Sequence, residues 1–240
     1  MILETDLILL CIIAVFTSCF AAVFGMGGGV ILISVMPGFV PLQALIPIHG
    51  VVQLASNSSR VAFGFRHIRF DLIRKYLIGA VIGVALGAPC VLYFPFDILP
   101  LVLGVFVLFI AWVPLPKVHD SKYLIPILGF IQVFLSLFVG VAGLVASAFL
   151  FHQKLKKDDL VITLASFATL THLLKIVVYG FLGLFTISHF YFAITVAIAA
   201  ILGSWAGTHL RGKVPERFFR PVFKSLVIIL GLRLIIKHFL

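Results

Sequence analysis

The chain has 240 residues, of which 62% are hydrophobic and 11% charged, with a mean hydropathy of +1.26. A soluble fold of this length cannot bury that much apolar surface, so composition excludes a soluble globular protein and makes the bilayer its solvent. The net charge of +10 does not point to nucleic acid, because the basic residues gather between apolar runs, where they set topology.

A spanning helix needs about 20 apolar residues, which leaves room for roughly seven or eight segments in one membrane domain covering 1–240. Glu4 and Asp6 precede the first apolar run, 7–24, so it lacks the basic start of a cleaved signal and reads as retained. A short apolar piece, 30–36, follows the small-residue run Gly25-Met26-Gly27-Gly28-Gly29, where a helix breaks. Longer runs then occupy 42–64, 72–94, 98–114 and 123–138. A second short piece, 144–151, follows Gly140-Val141-Ala142-Gly143, and the runs 160–181, 190–209 and 218–238 complete the chain. Cys11, Cys19 and Cys90 stand singly in apolar runs and read as packed thiols, with neither a disulfide frame nor a metal spacing.

Shifting the sequence by 115 positions pairs Gly25 with Gly140, Gly28 with Gly143, Ser56 with Thr171, Arg60 with Lys175 and Phe70 with Phe185. This order suggests a duplication, with repeat one at about 1–115 and repeat two at about 122–240, although glycines in a glycine-rich chain also align by chance. Two halves of similar plan are a transporter signature.

Loop charge separates two topologies. If every long run crosses with its short piece trailing, Arg66, Arg69, Arg74, Lys75, Lys117 and Lys122 lie on one face. Lys154, Lys156, Lys157, Arg211, Lys213, Arg217 and Arg220 then lie on the other, with no asymmetry. If 7–36 and 123–151 are instead hairpins that turn back at their glycine tips, all of these share one face. The opposite loops then hold only Glu4, Asp6 and Asp97, with Lys237 near the C-terminus. The positive-inside rule favours the second arrangement, which has three full crossings per half, both termini outside and the halves inverted. Irregular backbone at membrane depth survives only beside protein or a water-filled cavity, so the tips point to a polar cavity near the midplane.

The run 42–64 carries Gln53-Leu54-Ala55-Ser56-Asn57-Ser58-Ser59-Arg60, and 160–181 carries Thr169-Leu170-Thr171-His172-Leu173-Leu174-Lys175. Polar and ionisable groups inside a span mark a substrate path by default. Arg60 and Lys175 can equally snorkel from near the helix ends. Ser56, Asn57, Thr171 and His172 can equally be interhelical hydrogen-bonding glue. Half-helices starting after Gly29 and Gly143 aim amides and a positive dipole end at the tips, which suits an anion. Gly25, Gly27, Gly28, Gly29, Gln53, Ser56, Asn57, Arg60, Gly140, Gly143, Thr171, His172 and Lys175 are therefore the candidate substrate-binding residues. With no acidic residue inside any apolar run, the cavity should prefer anions, and nothing supports a carboxylate proton relay. His49 reads as a packed histidine, Asp71 as an N-cap, and His152, His189 and His209 as helix-end residues without metal spacing. Gly79, Gly83 and Gly87 recur every four residues and offer a face for close helix packing or for a homodimer.

Phe24-Gly25-Met26-Gly27-Gly28-Gly29, Pro37, Ala44, the Ser56-Asn57 stretch and Arg66-His67-Ile68-Arg69-Phe70-Asp71, leading into Gly79, Gly83, Gly87 and Ala88, resemble the TauE/SafE sulfite exporter family. The resemblance covers essentially the whole chain and is stronger in the first half. It implies a bacterial inner-membrane protein of repeated plan that exports sulfite or a small organosulfonate such as sulfoacetate. Where the family often repeats a multi-glycine motif, this chain has only Gly140 and Gly143, which implies a tighter, more apolar second tip.

The expectation is an all-α polytopic transporter, not an enzyme, moving a small inorganic or organosulfur anion from cytoplasm to periplasm without a cofactor. No P-loop is present for ATP hydrolysis. The rival readings are an integral membrane enzyme on lipid-linked substrates, for which acidic residues are too few and scattered, and a structural subunit of a membrane complex.

Overall fold

The computed structural model describes residues 4–112, 123–140, 143–150, 155–214 and 219–239. Among these the chain is helical without strands, as composition led one to expect. Its helices are α1 (Glu4–Phe24), α2 (Gly28–Val35), α3 (Leu42–Phe63), α4 (Phe70–Val91), α5 (Leu99–Trp112), α6 (Leu124–Val139), α7 (Gly143–Leu150), α8 (Lys157–Phe181), α9 (Ile187–Leu210) and α10 (Phe219–Phe239). By length and apolarity α1, α4, α8 and most of α9 can each cross a bilayer. Lys117, Lys122, Lys154 and Arg217, like Val141 and Ala142 of the second tip and His152, lie outside the described residues.

Both expected breaks are present. α1 ends at Phe24 and α2 restarts at Gly28, with Gly25 at φ +85° and Gly27 at φ +92° turning the chain between them. α6 ends on Gly140 at φ +68°. These left-handed values are open to glycine at little cost and strain other residues.

α3 and α8 form the centre. Every residue of α3 from Ala44 to Gln53 is buried, as is every residue of α8 from Leu160 to Phe167. A helix apolar on all sides belongs inside a bundle. α1 packs on α9 and α3, α4 packs on α6 and α8, and α5 pairs with α10. Outward faces carry large apolar side chains such as Phe16, Ile78, Ile82, Ile198 and Ile229, which would be a liability in water and suit lipid.

The glycine stripe of α4 is spent inside the chain. A Cβ at Gly79 would lie 1.7 Å from the Pro126 carbonyl oxygen and one at Gly83 2.7 Å from that of Phe130, so α6 lies directly against the stripe. Gly203 and Gly207 on α9 approach the Val15 and Cys19 carbonyls of α1 in the same way, at 2.1 and 2.4 Å for the added Cβ. The stripe is therefore an internal seam and is not free for a second copy. Asp71 also departs from expectation. α4 begins at Phe70, and Asp71 lies in its first turn, where it accepts two hydrogen bonds of 2.9 Å from Arg69.

Side-chain contacts decide the topology. His67, after α3, meets Asp159 at the start of α8 at 2.8 Å, and Arg211, after α9, meets Asp158 at 3.2 Å. The eight-crossing arrangement places 65–71 opposite 152–159 and cannot make the first contact. At the other end Lys237 donates to the Pro37 carbonyl at 3.1 Å, tying the end of α10 to the exit of the first hairpin. The exit of α3, the start of α8 and the end of α9, with the basic residues they carry, thus share one face of the bundle.

Candidate functional site

Halfway along α3 and α8 a cavity of about 70 Å³ opens between the two hairpin tips. Gly25 to Val30 border it from the first hairpin, and Gly143 and Ser147 from the second. α3 contributes Gln53, Asn57 and Arg60, α8 contributes Thr171 and His172, and α6 contributes Gln132 and Ser136.

The close fit around the first tip follows from its glycines. A Cβ at Gly28 would sit 2.0 Å from the Thr17 carbonyl oxygen, and one at Gly29 3.1 Å from Gln53 Oε1. Only the bare backbone lets α2 start this deep against α1, with its first-turn amides at the cavity. Those amides have no acceptor within the helix and carry the positive end of its dipole. His49, buried on α3, donates from Nε2 to the Gly29 carbonyl at 3.0 Å and so holds the tip from behind. It does not line the cavity, in keeping with its reading as a packed histidine.

Arg60 does not snorkel. It is 3% exposed and donates through Nη1 to the Ala21 carbonyl at 3.0 Å, in the last turn of α1, and through Nη2 to Asn57 Oδ1. Asn57 in turn donates to the Gln53 carbonyl at 2.6 Å. This chain fixes the guanidinium at the cavity wall. Lys175 is fully buried but borders no part of the cavity, and its ammonium donates to the Gly140 carbonyl at 2.9 Å. Gly140 likewise stands behind the wall. Ser56 is turned away too, its hydroxyl 2.9 Å from that of Ser204 on α9.

Thr171 is the hub on the α8 side. Its hydroxyl donates to the Phe167 carbonyl at 2.8 Å, so it accepts from Tyr76 at 2.6 Å and from Gln132 Nε2 at 3.2 Å. That leaves Gln132 Oε1 and His172 Nδ1 buried without a protein partner at the cavity. Buried polar atoms of this kind are satisfied by water or by a ligand. Gln132, Ser136 and Ser147 were not singled out from sequence. Gln132 did carry a signal, as the one amide side chain in the apolar run of α6.

No carboxylate borders the cavity among the described residues. Glu4, Asp6, Asp71, Asp97, Asp158 and Asp159 all lie at helix starts or in connections, and Asp120 and Glu216 lie outside the described residues. The local field is positive, from the Arg60 guanidinium and the N-terminus of α2 at the wall and from the Lys175 ammonium behind His172.

A lipid-embedded helical bundle with two broken helices around a cavity lined by polar side chains defines a membrane transporter. The chain belongs to the sulfite exporter TauE/SafE family, which residues 10–234 match. No curated protein and no solved structure matches it significantly.

Proposed function

We propose that this transporter exports a small anion, sulfite or a small organosulfonate such as sulfoacetate, from cytoplasm to periplasm across a bacterial inner membrane. The observation that carries the reading is the cavity lined by Arg60 and the first turn of α2, with no carboxylate among the residues that border it. A buried cation without an acidic partner is costly, and an anion arriving between Arg60 and the amides would offset that cost. In this conformation about 70 Å³ has room for a few waters or a compact oxyanion. A longer organosulfonate requires the tips to separate.

No coupling ion is needed to drive exit. An inside-negative potential favours anion export by roughly 2.3 kcal/mol per charge per 100 mV. Gly25 to Gly29, Gln53, Asn57, Arg60, Gly143, Thr171 and His172 would hold the anion, while Ser56, Gly140 and Lys175 would support them from behind.

The duplication is part of the proposal, with inverted halves at about 1–115 and 122–240. Support comes from contacts that recur at the 115-residue shift. Arg60 and Lys175 each bond the end of a broken helix, Ala21 in one case and Gly140 in the other. Ser56 and Thr171 are each bonded across, by Ser204 of α9 and Tyr76 of α4. Val15 and Phe130 each lie under a glycine of those same helices.

The test is flux. Purified protein in liposomes should release trapped radiolabelled sulfite faster than empty vesicles, and faster again when the protein's cytoplasmic side is made negative. Release no faster than from empty vesicles, for sulfite and sulfoacetate alike, overturns the reading.

A further inference from the structure

A second, larger cavity of about 350 Å³ lies on the cytoplasmic face, bordered among others by Gly64, His67, Lys157, Asp158, Thr208 and Arg211. Nothing in the transport reading above uses it. Its polar groups come from three elements: the exit of α3, the start of α8 and the end of α9.

Arg211 is the unusual member. Its side chain is 8% exposed, although it follows the last residue of α9 at a basic face. Nε donates to the Ala22 carbonyl at 2.8 Å and Nη1 to Asp158 Oδ1 at 3.2 Å, while Nη2 is buried with no partner. A guanidinium presents a planar fork matched to two oxygens of one oxyanion. Among the described residues the one anionic group on that fork is a half-exposed carboxylate held through a single bond. The other side chains around the cavity leave the fork open: His67 is occupied by Asp159, and Thr208 donates to the Ser204 carbonyl at 2.8 Å.

The position of Arg211 links the two cavities. Arg60 bonds the carbonyl of Ala21 and Arg211 that of Ala22, so the two guanidiniums sit one peptide apart on the last turn of α1. Gly64, at the cytoplasmic cavity, lies one helical turn beyond Arg60. An anion at Arg211 is therefore a single step from the inner wall.

We propose that the cytoplasmic cavity is a second anion-binding site, an antechamber in which a small oxyanion displaces the Asp158 carboxylate from the Arg211 fork before passing to Arg60. Asp158 acts as a tethered stand-in for the substrate. It keeps the buried guanidinium paired when no anion is present and competes with anions at low concentration. This rests on the anion-transport reading, and the experiment separates the two.

The probe is radiolabelled sulfite. Its equilibrium binding is measured on the full chain in detergent, and zero-trans flux is measured from the cytoplasmic side in liposomes. Wild type should show two classes of sulfite site. Arg211→Gln should lose the weaker class and raise the cytoplasmic KM at least tenfold, with the tighter class kept. Asp158→Asn should tighten the weaker class by about two- to fivefold, the worth of an exposed ion pair. Because Asp158 is half exposed, this variant carries the test even if Arg211→Gln fails to fold. A single class of site in wild type, unchanged in affinity by Asp158→Asn, overturns the antechamber while leaving transport intact. Absence of sulfite binding and flux in wild type overturns both.

Discussion

The ammonium of Lys175 donates to the carbonyl of Gly140 at 2.9 Å, and four residues on, the Tyr179 hydroxyl donates to the carbonyl of Leu137 at 2.7 Å. One face of α8 thus satisfies the carbonyls with which α6 ends inside the membrane. Such groups have no water to turn to at that depth. Arg211 does the same for Ala22 at the end of α1, and Arg60 adds a second donor to the Ala21 carbonyl, which also accepts from the Gly25 amide at 2.8 Å. The buried cations are first of all caps on broken helices, placed at the negative ends of their dipoles.

Lys175→Met keeps the apolar stem and removes the donor. The Gly140 carbonyl would keep only the longer bond from the Ser136 hydroxyl at 3.4 Å, and the loss should cost about 1–3 kcal/mol, read as a lower midpoint in thermal unfolding of the detergent-solubilised protein. Since Lys175 does not border the cavity, the KM for sulfite should stay within twofold. A raised KM with an unchanged midpoint would show that the ammonium reaches substrate.

Arg60 has both duties, and its variants should separate them. Arg60→Lys keeps the charge but cannot hold the Ala21 carbonyl, Asn57 and an oxyanion together with three rotatable donors. Its sulfite flux should fall by about tenfold or more, the worth of one charge-assisted hydrogen bond of ~1.5–3 kcal/mol. Arg60→Gln should abolish flux. Wild-type rates in both variants would remove the guanidinium from the binding site.

Gln132 offers a test of the sign of the substrate. Gln132→Leu removes its bond to Thr171 and its unpartnered oxygen, and should slow flux moderately. Gln132→Glu is nearly isosteric and places a carboxylate at the cavity wall. For an anionic substrate the second change should be the worse by at least tenfold, through like-charge repulsion in a poorly screened site. Equal flux in the two variants would contradict an anionic passenger.

Much of this was legible in the sequence because the membrane makes composition decisive. The glycine runs at Gly25–Gly29 and Gly140–Gly143 announced the breaks, and loop charge favoured the hairpin topology that the His67–Asp159 contact requires. Which polar side chains face the cavity was not legible. Ser56 and Asn57 are neighbours in the sequence, yet Ser56 turns to Ser204 and Asn57 to Arg60 and the cavity, a difference set by where α9 packs. Lys175 and Arg60 looked equivalent, but the helical turn each occupies relative to its tip puts one behind the wall and the other in it. Gln132 was overlooked because periodicity marks α6 only as apolar.

The topology yields a prediction that avoids function altogether. In a cysteine-free background, single cysteines near Pro41 and Asp97 should react with an impermeant maleimide added from the periplasmic side. Cysteines at His67 and Lys156 should react only after the membrane is opened. Labelling of Lys156→Cys from outside in intact cells would put the start of α8 on the wrong face and break the contact between His67 and Asp159.

The glycine seams predict where size alone is intolerable. Gly79→Ala would drive its methyl into the Pro126 carbonyl and Gly203→Ala into that of Val15, both backbone atoms that cannot turn aside. Each should cost about 3 kcal/mol or more, the upper end for overpacked cores, and lower the yield of folded protein. Gly180→Ala near the end of α8 meets nothing within 4 Å and is the control. It should be neutral or gain about 0.5–1 kcal/mol of helix propensity. The comparison also bears on self-association. Were the Gly79 stripe a surface between copies, Gly79→Ala would convert dimer to monomer and leave the monomer's unfolding midpoint where it was. With α6 already seated on the stripe, the midpoint must fall at every protein concentration, whatever the oligomeric state.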